Sequence, residues 1–204
     1  MYIALEELKK TFPTTASMEE YVKSLKKDEP TLVLRDYSEP TKPPCVLPGV
    51  EVFDFNKRPR PAEDIANAYG TKLNVPGINV INAIKAALGP GGYALHISDG
   101  SYTGYSLWEL KEFLTNFDST NLRVWIAEVF DCDDFAQVLQ GAVNGFFPGI
   151  AFGTIWYGPK DGSWGHAVNI FYSYTDNQVY LVEPQNDAFY LFDKIKWNAW
   201  VVML

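Results

Sequence analysis

Cys132 sits in the run Asp131-Cys132-Asp133-Asp134. The apolar residues Phe135, Val138, Leu139, Ala142 and Val143 follow it at helical spacing. That pattern predicts an amphipathic helix with Cys132 in its first turn. The helix dipole and the free N–H groups there favour a thiolate, whereas the flanking aspartates oppose it. A cation must therefore stand close by, either a protonated imidazole or a metal ion held by the aspartates. The chain has two histidines. His166 opens a strand after the loop-like stretch from Gly158 to Gly165, which suits a base facing a cleft, whereas His96 lies mid-strand between Leu95 and Ile97. Glu183 ends the next strand, ahead of Pro184. If the two strands form a hairpin centred near residues 174–175, Glu183 lies opposite His166. If the centre is near 175–176, Gln185 does, and Glu183 is the diagonal neighbour. The chemistry would be acyl transfer: His166 takes the thiol proton, Glu183 fixes the tautomer and stabilises the imidazolium, and the thiolate attacks a carbonyl. Taken singly, each residue also has a structural reading: a small buried hydrophobe, a structural histidine, a solvated glutamate.

The elements that must position these residues follow from the hydrophobic pattern. Residues 1–35 read as helical, with a capping-box spacing from Ser17 to Glu20. Residues 39–62 are proline-rich and extended. They separate an N-terminal arm, residues 1–60, from a main body, residues 61–204. Residues 62–88 suggest a helix in two pieces, with a break near Gly70 or Pro76-Gly77. Tyr93 to Ile97 reads as a buried strand. Ser106 and Glu109 make a second capping box. Five strand-like runs follow: Ala151–Tyr157, Ala167–Tyr172, Val179–Val182, Phe189–Phe192 and Trp197–Leu204. Helices first and then a mostly antiparallel sheet is an α+β pattern.

The net charge of -8 disfavours a nucleic-acid partner, whose recognition needs a basic face. Two cysteines, Cys45 and Cys132, do not make a disulfide scaffold. No apolar run approaches the roughly 18 residues of a membrane span, and the N-terminus lacks signal-peptide character, so a cytoplasmic location is expected, with phage association or release as alternatives.

Three motifs carry a resemblance: Asp131-Cys132-Asp133-Asp134-Phe135-Ala136, Gly165-His166-Ala167, and Val182-Glu183-Pro184-Gln185-Asn186-Asp187. They resemble the papain-like cysteine-protease domain of the fairy-ring mushroom agglutinin and related phage and bacterial proteins described as lectin-related or transglutaminase-like. The resemblance covers residues 124–187. It implies a papain-like fold with the nucleophile helix packed on the C-terminal sheet, and a Cys132–His166–Glu183 triad cleaving a peptide or protein substrate. It also implies a divalent cation, calcium or manganese, beside the site. Asp133, Asp134 and Glu128 are the carboxylates to test as its ligands. Trp125, seven residues before the cysteine, matches the family as well. The chain lacks the glutamine that papain places before its cysteine, so Trp125 and Gln185 are the candidate partners of the Cys132 N–H in an oxyanion site. Three other readings stand beside this one: a cell-wall peptidase similar to the NlpC/P60 family, a transglutaminase-like amide transferase, and a non-enzymatic phage or bacterial binding module that keeps the fold.

Overall fold

The computed structural model describes Phe55 and residues 72–204. The helices expected over residues 1–35, the extended connector and the boundary at residue 60 lie outside the described residues. So does Cys45.

Among the described residues there are eight strands and three α-helices. In chain order they are β1 (Asn74–Pro76), α1 (Gly77–Leu88), β2 (Ala94–His96), β3 (Ser101–Thr103), α2 (Leu107–Asn116), α3 (Cys132–Phe146), β4 (Phe152–Pro159), β5 (His166–Ser173), β6 (Gln178–Glu183), β7 (Ala188–Tyr190) and β8 (Trp197–Met203). Six strands form one sheet in the order β2-β8-β4-β5-β6-β7, and β1 pairs with β3 in a small separate ribbon.

The expectation of helices first is corrected here, whereas the six-stranded sheet is mostly antiparallel as expected. Short strands alternate with the helices before Cys132, and the sheet is mixed, because β2 runs parallel to β8. The Tyr93–Ile97 run is also not a buried strand. Only its middle pairs, at the sheet edge, and Ala94 and His96 face solvent. Its apolar character serves one-sided packing of Tyr93, Leu95 and Ile97 against the core. α1 begins at Gly77, the second of the two expected breaks, since the preceding residues are drawn into β1.

Strand alternation divides the core into two layers. His166, Val168, Ile170 and Tyr172 of β5 point to one face, where Val80, Ile84 and Leu88 of α1 pack on Val168, Ile170 and Tyr172. Ala167, Asn169, Phe171 and Ser173 point to the other, where Leu139 and Val143 of α3 meet Phe152, Phe171 and Val182. Each of these buried aliphatic or aromatic side chains contributes about 1.5–3 kcal/mol. α2 is started by a capping box: Ser106 Oγ accepts from the Glu109 N–H at 3.2 Å, and the Ser106 N–H donates to Glu109 Oε2 at 2.9 Å. No described helix is long and apolar enough to cross a membrane.

Asn169 fixes α3 on the sheet. Its side-chain amide is fully buried and donates to the Ala136 carbonyl at 2.8 Å and to the Gly153 carbonyl at 3.0 Å. Ala136 lies one turn beyond Cys132, so this bond sets where the helix N-terminus stands over β5.

Candidate functional site

α3 opens at Cys132 because Asp131 and Asp134 cap it: the Asp131 N–H donates to the Asp134 carboxylate at 3.1 Å. Before it, Ile126 and Phe130 close a tight turn through two backbone bonds of 2.9 and 2.8 Å. Glu128 in that turn has φ 59°, a left-handed conformation that a glutamate adopts at a cost of about 1 kcal/mol or more. The Glu128 N–H donates to Asp131 Oδ2 at 3.3 Å, which ties the turn to the helix cap.

His166 is the first residue of β5 and Glu183 the last of β6. The pairing Asn169↔Val182 through Ser173↔Gln178 centres the hairpin between residues 175 and 176. Of the two registers, this is the one that puts Gln185 opposite His166 and Glu183 diagonal to it on the same face. His166 Nε2 lies 2.8 Å from Glu183 Oε2, with both side chains buried. Cys132, at the α3 N-terminus, lies close enough to the imidazole to act on its charge. Burial works against the charged imidazole. The hydrogen bonds to Cys132 and Glu183, together with their charges, outweigh it and hold the His166 pKa up at about 10. His166 is therefore an imidazolium at neutral pH. Tyr157, its partner across β4, stacks edge-on at 5.9 Å, and Tyr157 and Tyr190 bond through their hydroxyls at 3.0 Å. This aromatic wall keeps water from the His–Glu pair.

Cys132, His166 and Glu183 thus come together, with Cys132 partly exposed and the other two buried. Gln185 adjoins them: its N–H donates to Glu183 Oε1 at 3.3 Å, and its buried side-chain Nε2 has no partner among the described residues. Trp125 is half-buried ahead of the Ile126–Phe130 turn, with no hydrogen bond or ring contact to Cys132 among the described residues.

The three carboxylates expected to hold a cation do not gather as a set. Asp134 is spent on the helix cap and Glu128 is exposed in the turn. The ligand-type atoms that converge are those of Asp131, Cys132 and Asp133, within 4.8 Å of one another. A hydrogen bond to Asp131, burial, and the charge of Asp131 raise the Asp133 pKa. Sequence reasoning missed Tyr157, whose role follows only from a strand pairing, and Asp131 as the capping partner, which the acid-x-x-acid spacing from 131 to 134 does signal.

Asp187 completes the Glu-Pro-Gln-Asn-Asp run. Burial first, and then the charge of Asp118, push its carboxyl up to about 6, against the pull of Lys111 and of the Asn121 amide that donates to Oδ2 at 2.6 Å. Its Oδ1 is buried without a partner among the described residues, and its φ is 57°. A folded-state pKa above the ordinary carboxylate value means stability that is present below pH 4 and is lost as pH rises toward 6. Asp187→Asn removes that loss, keeps an acceptor for Asn121, and suits the left-handed backbone. Discounted for partial exposure, the gain is about 1 kcal/mol at pH 8, or about 2–4 °C in Tm. It should vanish at pH 4.5. A melt at the two pH values with the same gain would show that ionisation is not its source.

No protein-family model and no curated protein matches this chain. Solved structures do. The complex of PSL1a with E64 matches at 25% identity and a TM-score of 0.55, over 65% of this chain and 51% of that one. The Polyporus squamosus lectin bound to the human-type influenza-binding epitope Neu5Aca2-6Galb1-4GlcNAc matches at 26% identity and a TM-score of 0.54, over 65% of this chain and 50% of that one. The chain therefore shares its fold with about half the length of these lectin structures.

These matches correct the reading drawn from the motifs. The similarity found is to a lectin, not to a cysteine-protease domain, and the fold is the sheet-dominated fold of those lectin structures, not the papain-like α+β fold. The expectation of a cysteine-type hydrolase cleaving peptide or amide bonds is overturned on the same ground. The partner that goes with it, a peptide or protein substrate, is not supported by these matches, one of which is a lectin bound to a glycan epitope.

Proposed function

We propose that this chain is a non-enzymatic binding module with a glycan as its natural ligand and with Cys132, His166 and Glu183 as a ligand-holding centre. The likeness to Polyporus squamosus lectin in complex with a sialylated trisaccharide supports the glycan. The buried His166–Glu183 pair beside the partly exposed Cys132 supports the centre, because it sets a fixed imidazolium donor next to a nucleophilic sulfur at a helix N-terminus. E64, the ligand of the PSL1a complex, is the natural probe of that centre.

The test is intact-protein mass spectrometry with E64, followed by glycan titration. E64 should be retained on the wild type, be lost in Cys132→Ala, and be taken up at least about tenfold more slowly in His166→Ala. A sialylated trisaccharide should bind in calorimetry. Turnover of a peptide substrate that disappears in Cys132→Ala would overturn the non-enzymatic reading. Calcium or manganese is proposed as an accessory at Asp131 and Asp133, whose ligand-type atoms lie within 4.8 Å of each other and of Cys132 Sγ. Uptake of E64 that is unchanged by chelator and by added ion would dispose of it.

A further inference from the structure

A concave feature lies at the start of β8. A pocket of about 520 Å³ is lined there by Tyr93, Lys160, Lys194, Trp197, Asn198 and Trp200, beside the loop Gly89–Gly92. Three of these side chains are aromatic and two are cationic, and no aspartate or glutamate lines it. In a chain of net charge -8 that is a local inversion of sign. Neither lysine has an ion-pair partner among the described residues. A volume of this size matches a small-ligand site.

Trp200 is the best-defined surface of the pocket. It is 40% exposed, an unusual state for the largest aromatic side chain. The covered part of its ring lies against Gly158 and Gly165: a Cβ on Gly158 would sit 2.7 Å from the ring, and one on Gly165 also 2.7 Å from it. Two backbone segments without side chains therefore form a flat seat that holds the indole in one orientation. Gly165 directly precedes His166 in the chain, and none of Cys132, His166 and Glu183 lines the pocket. A held aromatic face with ammonium groups and a side-chain amide around it is complementary to a pyranose. The apolar C–H face of the sugar stacks on the indole, a carboxylate meets the lysines, and hydroxyls meet Asn198.

We infer that the pocket between Trp200 and the lysines Lys160 and Lys194 is a binding site for an acidic sugar. This rests on the glycan-binding reading and gives it a location and a ligand class. A sugar carrying a carboxylate fits better than a neutral one because the two lysines line the pocket with no aspartate or glutamate in its wall. Lys160→Ala with Lys194→Ala should remove the preference and leave the stacking. Trp200→Ala should remove both.

The experiment titrates the full chain with Neu5Acα2-6Galβ1-4GlcNAc and with Galβ1-4GlcNAc, following indole fluorescence and calorimetry. The acidic sugar should bind about tenfold or more tighter than the neutral one. Trp200→Ala should lose at least about tenfold in affinity for both, Trp200→Phe should recover part of it, and the double lysine variant should bind the two sugars alike. Gly165→Ala, which displaces the ring without removing it, should weaken binding as well. Binding of the acidic sugar that survives both Trp200→Ala and the double lysine variant would overturn this site and leave the glycan reading standing elsewhere on the chain. Binding of neither sugar by the wild type would overturn the site and the glycan reading together, while E64 uptake at Cys132 would still judge the thiol centre separately.

Discussion

Gly153→Ala is expected to leave little folded protein. Gly153 sits in β4, the one strand of the sheet hydrogen-bonded to both β5 and β8. A Cβ there would lie 1.9 Å from the Met203 carbonyl oxygen and 2.8 Å from its carbon, with the Leu204 Cα at 3.0 Å. Every one of these atoms is backbone, so no side chain can swing aside. β8 must separate from β4 or the ladder must shift, and either breaks pairs from Thr154↔Met203 onward. The stiffer unfolded chain returns only about 0.4–1 kcal/mol. The net loss should be about 4 kcal/mol, near the upper end for single substitutions and a large part of a typical domain stability of about 5–15 kcal/mol. Urea unfolding followed by tryptophan fluorescence measures it. A midpoint unchanged within error would mean that β8 is not held against β4 as described.

The sequence carried more of the elements than of their assembly. α3 was legible because Phe135, Leu139 and Val143 recur at helical spacing behind an acidic first turn, and α2 because Ser106 and Glu109 have the spacing of a capping box that does form. β4, β5, β6 and β8 were legible as apolar runs. Three things were not. The parallel partnership of β2 and β8 joins residues more than a hundred positions apart, and no local signal encodes it. β1 and β3 have three residues each, too short for alternation to speak. The small Gly158 and Gly165 read as loop residues, although their lack of a Cβ serves to seat Trp200.

The meeting of Cys132, His166 and Glu183 could be reasoned from hairpin arithmetic, to within the two registers that the turn allowed. What such residues do could not be reasoned that way. A thiol, an imidazole and a carboxylate in line are the same side chains whether a bound group is held or turned over, and motif resemblance assigned the second role where a matching solved structure is a lectin with a bound glycan epitope.

The stability of the chain should fall as pH rises from neutral to alkaline, and the hold of Cys132 and Glu183 on the His166 proton should be the cause. His166 has a folded-state pKa of about 10, above its ordinary 6.5. The native state therefore holds the imidazole proton more tightly than the unfolded chain does. The resulting stabilisation is complete below about pH 6.5 and disappears as pH climbs through 10. Because His166 is only 2% exposed, solvent screens little of it, and the sum is on the order of 4 kcal/mol. Glu183→Gln keeps the shape of the side chain and removes the charge. The imidazole then loses its anion while the burial that opposes its charge remains, so its proton leaves at much lower pH, and the fall in stability between pH 7 and 10 should flatten. His166→Ala tests the pair from the other side. It strands a buried carboxylate whose remaining bond is the Gln185 N–H at 3.3 Å, and should cost about 3–5 kcal/mol at pH 7. The comparison must be between variants, because Tyr190, held well above its ordinary value by burial and then by Tyr157 and Glu183, also bears on the alkaline limb. Urea midpoints at pH 6, 8 and 10 that fall in parallel for the wild type and Glu183→Gln would show that the His–Glu pair is not what carries the alkaline loss, and with it would go the argument that a fixed imidazolium stands beside Cys132.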